Sequence, residues 1–332
     1  MRAGIGGVHA AIIPHRAGAL ALRFCASSAI GATDIATRNP LSAGEAIAHC
    51  ARALRRARVF FGHGTDNARD EAAELVFFAA GLDHARGAAE YPRLLTARQG
   101  ARIEALLEAR IKKRVPLAYL TRRGFFAGME LYVDERVLVP RSPIAELALA
   151  RFQPWIEPRR VRRIVDIGTG SGAIALACAR AFPRARVDAL DISVAALQVC
   201  RRNIRRLMLQ GRVRALRSDH WSAVGAARYD IVVSNPPYVG RAEMRTLPRE
   251  YRHEPQLGLA SGRDGLDSVR IILREARAHL NDHGILVVEV GNTERALLKT
   301  WPKVPFLWPV FEHGGGGVFI LRAQDLDQHG EF

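Results

Sequence analysis

From about residue 161 onward the chain alternates strand and helix signals, and few patterns restrict architecture so tightly. "RIVDIG" reads as a strand, "GAIALACARAF" as a helix, "RVDALD" as a strand and "SVAALQVCRRNIRRLML" as a helix. "RVRALRS" and "YDIVVSN" follow as strands three and four. The helix "DGLDSVRIILREARAHL" leads to strand five, "GILVVEV". Two more strands, "PFLWPVF" and "GVFILRA", flank a glycine run over 314–317 that reads as a hairpin turn. Apolar runs such as Ile231, Val232 and Val233 suit strands covered on both faces. The pattern predicts an open α/β sheet of seven mostly parallel strands, with ligands at the strands' carboxyl ends.

The front of the chain has a different period. "SAGEAIAHCARALRRARV", "TDNARDEAAELVFFAAGL" and "TARQGARIEALLEARIKKRV" carry apolar residues at helical spacing. The second of these offers Thr65 and Asp66 as caps and closes on Gly81. "GFFAGMELYVDERVLVP", over 124–140, alternates as a short hairpin does. The chain therefore divides into a disordered extension over 1–40, a helical domain over 41–120, a β-hairpin linker over 121–142, the α/β domain over 143–325 and a tail over 326–332.

Charge bears on partners. The net charge is +16, which suits an acidic partner such as nucleic acid or a ribonucleoprotein. Lys112, Lys113, Lys299 and Lys303 are the only lysines among 49 basic residues, so a GC-rich genome accounts for the arginines equally well. Cys25, Cys50, Cys178 and Cys200 form no C-x-x-C pair, which argues against a disulfide framework or zinc site and for a cytoplasmic setting. No apolar run reaches the length of a membrane span.

Two carboxyl ends carry chemistry. In "VDIGTGSGAIALA", Gly168, Gly170 and Gly172 let the backbone turn from strand into helix and approach a ligand closely. Asp191, at the end of the second strand, stands where an acidic side chain takes ribose hydroxyls. Together they indicate a nucleoside cofactor. In "YDIVVSNPPYVG" the strand runs into Pro236 and Pro237, which end any ladder. The tip then presents two fixed acceptors, the Asn235 side-chain oxygen and the Pro236 carbonyl. Such a pair can grip both hydrogens of a planar –NH2 group, and Tyr238 adds a flat face for stacking.

"DIGTGSG" followed by "NPPY" resembles the class I S-adenosylmethionine-dependent methyltransferases that modify –NH2 groups, whose fold is Rossmann-like. "VLVPRSPIAE" (137–146), "RHEPQLGLASGRDGLD" (252–267) and the helical front domain are similar to the N5-glutamine branch of that family. The resemblance covers roughly residues 42–323. "FFGHGTDNARDEAAELV" (60–76) and the "RSPIAE" form of the linker resemble the subfamily acting on ribosomal protein L-three. The release-factor branch reads Arg-Pro-(Asp/Glu)-Thr-Glu at the linker, from which Ser142 and Ile144 depart.

The resemblance implies a protein-(glutamine-N5) methyltransferase with S-adenosyl-L-methionine as cofactor, no metal, and a front domain that recognises substrate. It assigns Gly168, Thr169, Gly170, Ser171 and Gly172 to the methionine end of the cofactor, Asp191 to the ribose, and Asp219 and His220 to the region of the adenine. Asp166 supports the loop. Asn235 touches both cofactor and substrate and is the catalytic residue; Pro236, Pro237 and Tyr238 complete the substrate grip. Phe125, Arg141 and Glu254 are further candidates near substrate or cofactor. The implied partner is ribosomal protein L-three, free or in an assembly intermediate, with rRNA contact open to the arginines of "EPRRVRRI" (157–164) and "RRNIRRLML" (201–209). The alternatives are methylation of class-one release factors, a DNA amino-methyltransferase lacking an obvious target-recognition region, and a non-enzymatic RNA- or ribosome-binding factor.

Overall fold

A computed structural model describes residues 41–329 and 332; the extension expected over 1–40 lies outside them. The helical part comprises α1 (Ala43–Arg56), α2 (Ala68–Ala80), α3 (Ala97–Lys113) and α4 (Leu117–Thr121). Ser42 and Glu45 form a reciprocal capping box at the start of α1. The α2 cap is Asn67, not Thr65 or Asp66: its side chain accepts from the Arg69 and Asp70 amides. Asn67 is the last extended residue before the helix, whereas the Thr65 hydroxyl is used by Glu71 at 3.0 Å. Leu54, Leu75 and Ile103 are fully buried at the centre of this domain.

A two-stranded hairpin follows, β1 (Gly124–Phe126) and β2 (Met129–Leu131). It is shorter than the alternation to residue 140 suggests. Val133, Val137 and Val139 stay buried, but they lie in an irregular run that crosses to α5 (Ile144–Leu149).

The rest is β3 (Arg163–Ile167), α6 (Ala173–Ala181), β4 (Arg186–Asp191), α7 (Val194–Arg206), β5 (Val213–Arg217), β6 (Tyr229–Ser234), α8 (Arg241–Met244), α9 (Asp267–Ala276), β7 (Leu280–Glu289), α10 (Glu294–Thr300), β8 (Val318–Arg322) and α11 (Ala323–Gln328). The sheet order is β5-β4-β3-β6-β7-β8, parallel except for β8. In β6, Ile231 and Val233 face the core under α5 and α6, and Val232 faces the core under α9. That alternation is why the strand reads as a continuous apolar run.

The sheet has six strands among the described residues, not seven. "PFLWPVF" contributes one isolated bridge, Leu307 to Ile320. Pro305 and Pro309 stand on either side of Leu307 and cannot donate to a ladder, so pairing ends after one residue. No helix of the described residues is long and apolar enough to cross a membrane.

Candidate functional site

The strand order reverses direction between β3 and β6, and a crevice opens there at the carboxyl ends. It holds a cavity of about 300 Å³. Gly168, Thr169, Gly170, Ser171, Asp191, Asp219, His220, Asn235, Pro236, Pro237 and Tyr238 all line it. The sequence placed these residues in four separate segments, and the sheet brings them to one rim.

Gly168 and Gly170 have φ of 74° and 54°, a left-handed geometry that favours glycine. At Gly170 a Cβ would meet nothing within 4 Å, so the backbone faces open space. Gly172 does not line the cavity; a Cβ there would come within 2.8 Å of Cys200 Sγ. It allows α6 to pack against α7. Asp166 also lies behind the loop. Its Oδ2 accepts from Thr169 Oγ1 at 2.6 Å and the Ala175 amide at 3.1 Å. Burial outweighs these bonds and pushes its carboxyl up to about 7. Its Oδ1 is buried with no partner among the described residues.

Asp191 is held from both sides. The Gly170 amide donates to Oδ2 and the Ser193 amide to Oδ1, each at 2.8 Å. One lone-pair direction on each oxygen stays available, and burial raises the carboxyl above the usual range. Asp219 Oδ1 lies 2.8 Å from His220 Nδ1.

The tip after β6 is clamped by backbone. The Val239 amide donates to the Leu259 carbonyl at 2.8 Å, and the Ser261 amide donates to the Val239 carbonyl at 3.0 Å. At Gly265, whose φ is +84°, a Cβ would come within 2.2 Å of the Tyr238 carbonyl. The Ser234 hydroxyl donates to the Ile167 carbonyl at 2.7 Å, which ties the tip's root to the glycine loop. Among the described residues, no group donates to the Pro236 carbonyl or hydrogen-bonds the Asn235 side chain. Both acceptors are therefore free, on a tip whose backbone is held at Val239.

Sequence reasoning missed Glu289, the last residue of β7. It is buried and accepts from Ser142 Oγ at 2.5 Å and Tyr238 OH at 3.1 Å. These bonds fix the Tyr238 ring, and burial raises both the Glu289 carboxyl and the Tyr238 phenol. An acid inside "LVVEV" was the available signal. Ser142, one of the two linker residues that depart from the release-factor pattern, is thus a direct partner in the site.

Arg141 lines the cavity, whereas Phe125 is exposed on the hairpin and its neighbour Phe126 lines the cavity instead. Arg141 forms a two-armed ion pair with Glu254, both arms at 2.7 Å. Glu254 also accepts from the Val139 amide at 3.1 Å, and His63 Nε2 lies 3.6 Å away. Burial alone pushes Glu254 up, but His63 and Arg141 hold its carboxyl down to about 2. Glu254 therefore binds the loop after the tip to the linker and the helical domain.

Residues 148–248 match the family model of the methyltransferase small domain, and residues 45–121 match that of the PrmC N-terminal domain. The ribosomal protein uL3 glutamine methyltransferase of Xanthomonas campestris pv. campestris is 44% identical over 276 residues, 83% of this chain and 89% of the relative. The protein of the same name from Xylella fastidiosa is 44% identical over 283 residues, 85% of this chain and 90% of the relative. The chain belongs to the uL3 glutamine methyltransferase family. Membership makes it a protein methyltransferase, and the two matched models cover its helical front and the greater part of the cavity rim. Among solved structures, a methyltransferase from Pyrococcus furiosus overlaps 59% of this chain and 89% of its own at 22% identity, a partial likeness with a TM-score of 0.43.

Proposed function

We propose that this uL3 glutamine methyltransferase family member transfers the methyl group of S-adenosylmethionine to the N5 side-chain amide of a glutamine in ribosomal protein uL3. The observation that carries the reading is the 44% identity to relatives bearing that name across most of both chains. The setting is cytoplasmic, with uL3 free or within an assembly intermediate.

The residues present suit that cofactor. The glycine loop leaves space at Gly168 and Gly170 where a side chain would intrude, Asp166 Oδ1 is a buried acceptor without a partner among the described residues behind the loop, and Asp191 keeps lone pairs for two vicinal hydroxyls. Thr169 and Ser171 complete the loop, and Asp219 and His220 flank the base end. When bound, S-adenosylmethionine supplies an electrophilic methyl on a good sulfonium leaving group.

The protein's own contribution is positional. An amide nitrogen is a poor nucleophile because its lone pair is shared with the carbonyl. Asn235 Oδ1 and the Pro236 carbonyl accept its two hydrogens, which raises electron density on nitrogen and aims it at the cavity. Pro237 and Glu289-anchored Tyr238 hold the amide plane. This is orientation with preorganised dipoles, and no strong base is required. The proton released afterwards is acidic and passes to water.

Asp191→Ala removes the ribose acceptor and leaves the Gly170 and Ser193 amides unpaired. Hydrogen bonds to a charged group contribute about 1.5–3 kcal/mol each, so cofactor affinity should fall by about 10²-fold or more. Calorimetry showing unchanged affinity removes Asp191 from the site. The reading itself is tested by offering labelled S-adenosylmethionine with unmodified uL3, an unmodified class-one release factor and unmethylated DNA. Label on a glutamine of uL3 alone is expected; label on the release factor or only on DNA overturns the substrate.

A further inference from the structure

The segment between the tip and α9 leaves the cavity rim at Val239 and returns to it at Pro255. By sequence it looks nearly neutral, because Arg241, Arg245, Arg249, Arg252 and Arg263 alternate with Glu243, Glu250, Glu254 and Asp264. Folding takes three of the four acids away from the arginines; the fourth, Glu243, stays half-exposed and accepts from Asn292 at 3.1 Å. Glu250 and Glu254 are buried and turned inward, onto Arg110, Arg114 and Arg141. Asp264 is taken by Arg270 at 2.6 Å. All five arginines of the segment are exposed, and none has an ion-pair or hydrogen-bond partner for its side chain among the described residues.

The same face continues onto the helical domain. His253 Nε2 lies 2.9 Å from the Lys113 carbonyl, and the Arg114 guanidinium joins Glu250 to the Ala57 carbonyl at the end of α1. The C-terminal ends of α1 and α3 therefore meet the loop, adding Arg55, Arg56, Arg58 and Lys113, which are exposed and unpaired among the described residues. Several arginines on other surfaces are paired or held by neighbours. Arg277 pairs with Asp282 and Asp327, and Arg322 with Asp325. On α7, Arg206 pairs with Glu130, Arg202 lies over the Tyr132 ring at 3.5 Å, and Arg201 donates to the Ala215 carbonyl.

We propose that this face, carried by Arg245, Arg249 and Arg252 with the basic ends of α1 and α3, docks the phosphate backbone of RNA beside the cavity mouth, so that the acceptor protein is presented while bound to RNA. The argument for RNA over a small anion is extent. The cations run from the rim of the cavity across two domains, without the buried pocket that a single phosphate requires. The inference rests on the proposed ribosomal substrate for the companion of that RNA. Its position also separates it from the unpaired Arg159, Arg160 and Arg186, which lie at the opposite, N-terminal edge of the sheet where Arg186 pairs in register with Arg163.

The test is titration of the full chain with a short fluorescein-labelled RNA hairpin, read by anisotropy across about 50–200 mM salt. The combined Arg245→Glu, Arg249→Glu and Arg252→Glu variant should lose at least about tenfold in affinity, and its log–log salt slope should shrink by about 2–3. The combined Arg→Lys variant at the same positions should keep most of the slope, because a phosphate needs the charge and not the fork. Three results overturn the proposal: no salt-dependent RNA binding by the native chain, an equal loss in a combined Arg159→Glu, Arg160→Glu and Arg186→Glu variant, or displacement of RNA by polyglutamate at equal charge. The titration contains no methyl donor, so its failure is distinct from failure of the methyl-transfer reading.

Discussion

Asn235→Ala should lower methyl transfer by about 10²–10³-fold, the range for removing one preorganised polar contact from a reacting group. The side chain sits at the end of β6 on a tip held by two backbone hydrogen bonds to Leu259 and Ser261. It has no partner among the described residues, so the substitution leaves no stranded donor or acceptor behind. Loss of activity would therefore report the missing contact and not a collapsed loop. The Pro236 carbonyl would still take one amide hydrogen, which sets a floor under the residual rate. Cofactor affinity should change by only a few-fold, because the Asp191 and glycine-loop contacts are untouched. Single-turnover transfer to uL3, with calorimetry for the cofactor, separates the two quantities. A near-normal rate would remove the amide grip from the mechanism.

The sequence made local features legible and left long-range ones hidden. Each strand and helix signal, the left-handed glycine loop and the proline-capped tip are local in the chain, so periodicity and turn chemistry expose them. The expected seventh strand failed for a local reason that was visible: Pro305 and Pro309 bracket the only residue that pairs. Helix α2 was located correctly, but its cap was misplaced because Thr65, Asp66 and Asn67 are all competent and only the backbone turn selects among them. Glu289 and Ser142 are 147 residues apart, and no spacing rule connects them. The same holds for the loop carboxylates. Glu250 reads as one more charge in "LPREYRHEP", yet its partners Arg110 and Phe60 lie 140 and 190 residues away. The basic face beside the cavity is hidden for this reason, since burial of Glu250 and Glu254 and the Arg270 pair of Asp264 remove most of the acids that would offset it.

Those buried carboxylates set the second large effect, which concerns stability. Arg110 is 1% exposed. Its Nε donates to Glu71 at 2.5 Å, its Nη1 to Glu250 at 3.2 Å and its Nη2 to the Phe60 carbonyl at 2.6 Å. Burial alone pushes Glu250 up, but the Phe60 amide and Arg110 hold its carboxyl below the usual range. Arg110→Ala leaves two carboxylates buried without their shared cation, so unfolding free energy should fall by about 3–5 kcal/mol. Arg110→Lys should recover only part of this, because one ammonium cannot serve three acceptors set in a planar fork. Combining Arg110→Met with Glu71→Gln and Glu250→Gln removes the charges together and should restore most of the loss. Urea denaturation at neutral pH distinguishes the series, and an Arg110→Ala variant within 1 kcal/mol of the native chain would mean that the triad is solvated and merely decorative. The kinetic consequence follows from where Glu250 sits. It anchors the loop four residues before Glu254, which Arg141 holds, and the loop returns to the cavity at the next residue, Pro255. Loosening that anchor should raise the KM for the protein acceptor while leaving cofactor affinity close to native, the opposite division from Asp191→Ala.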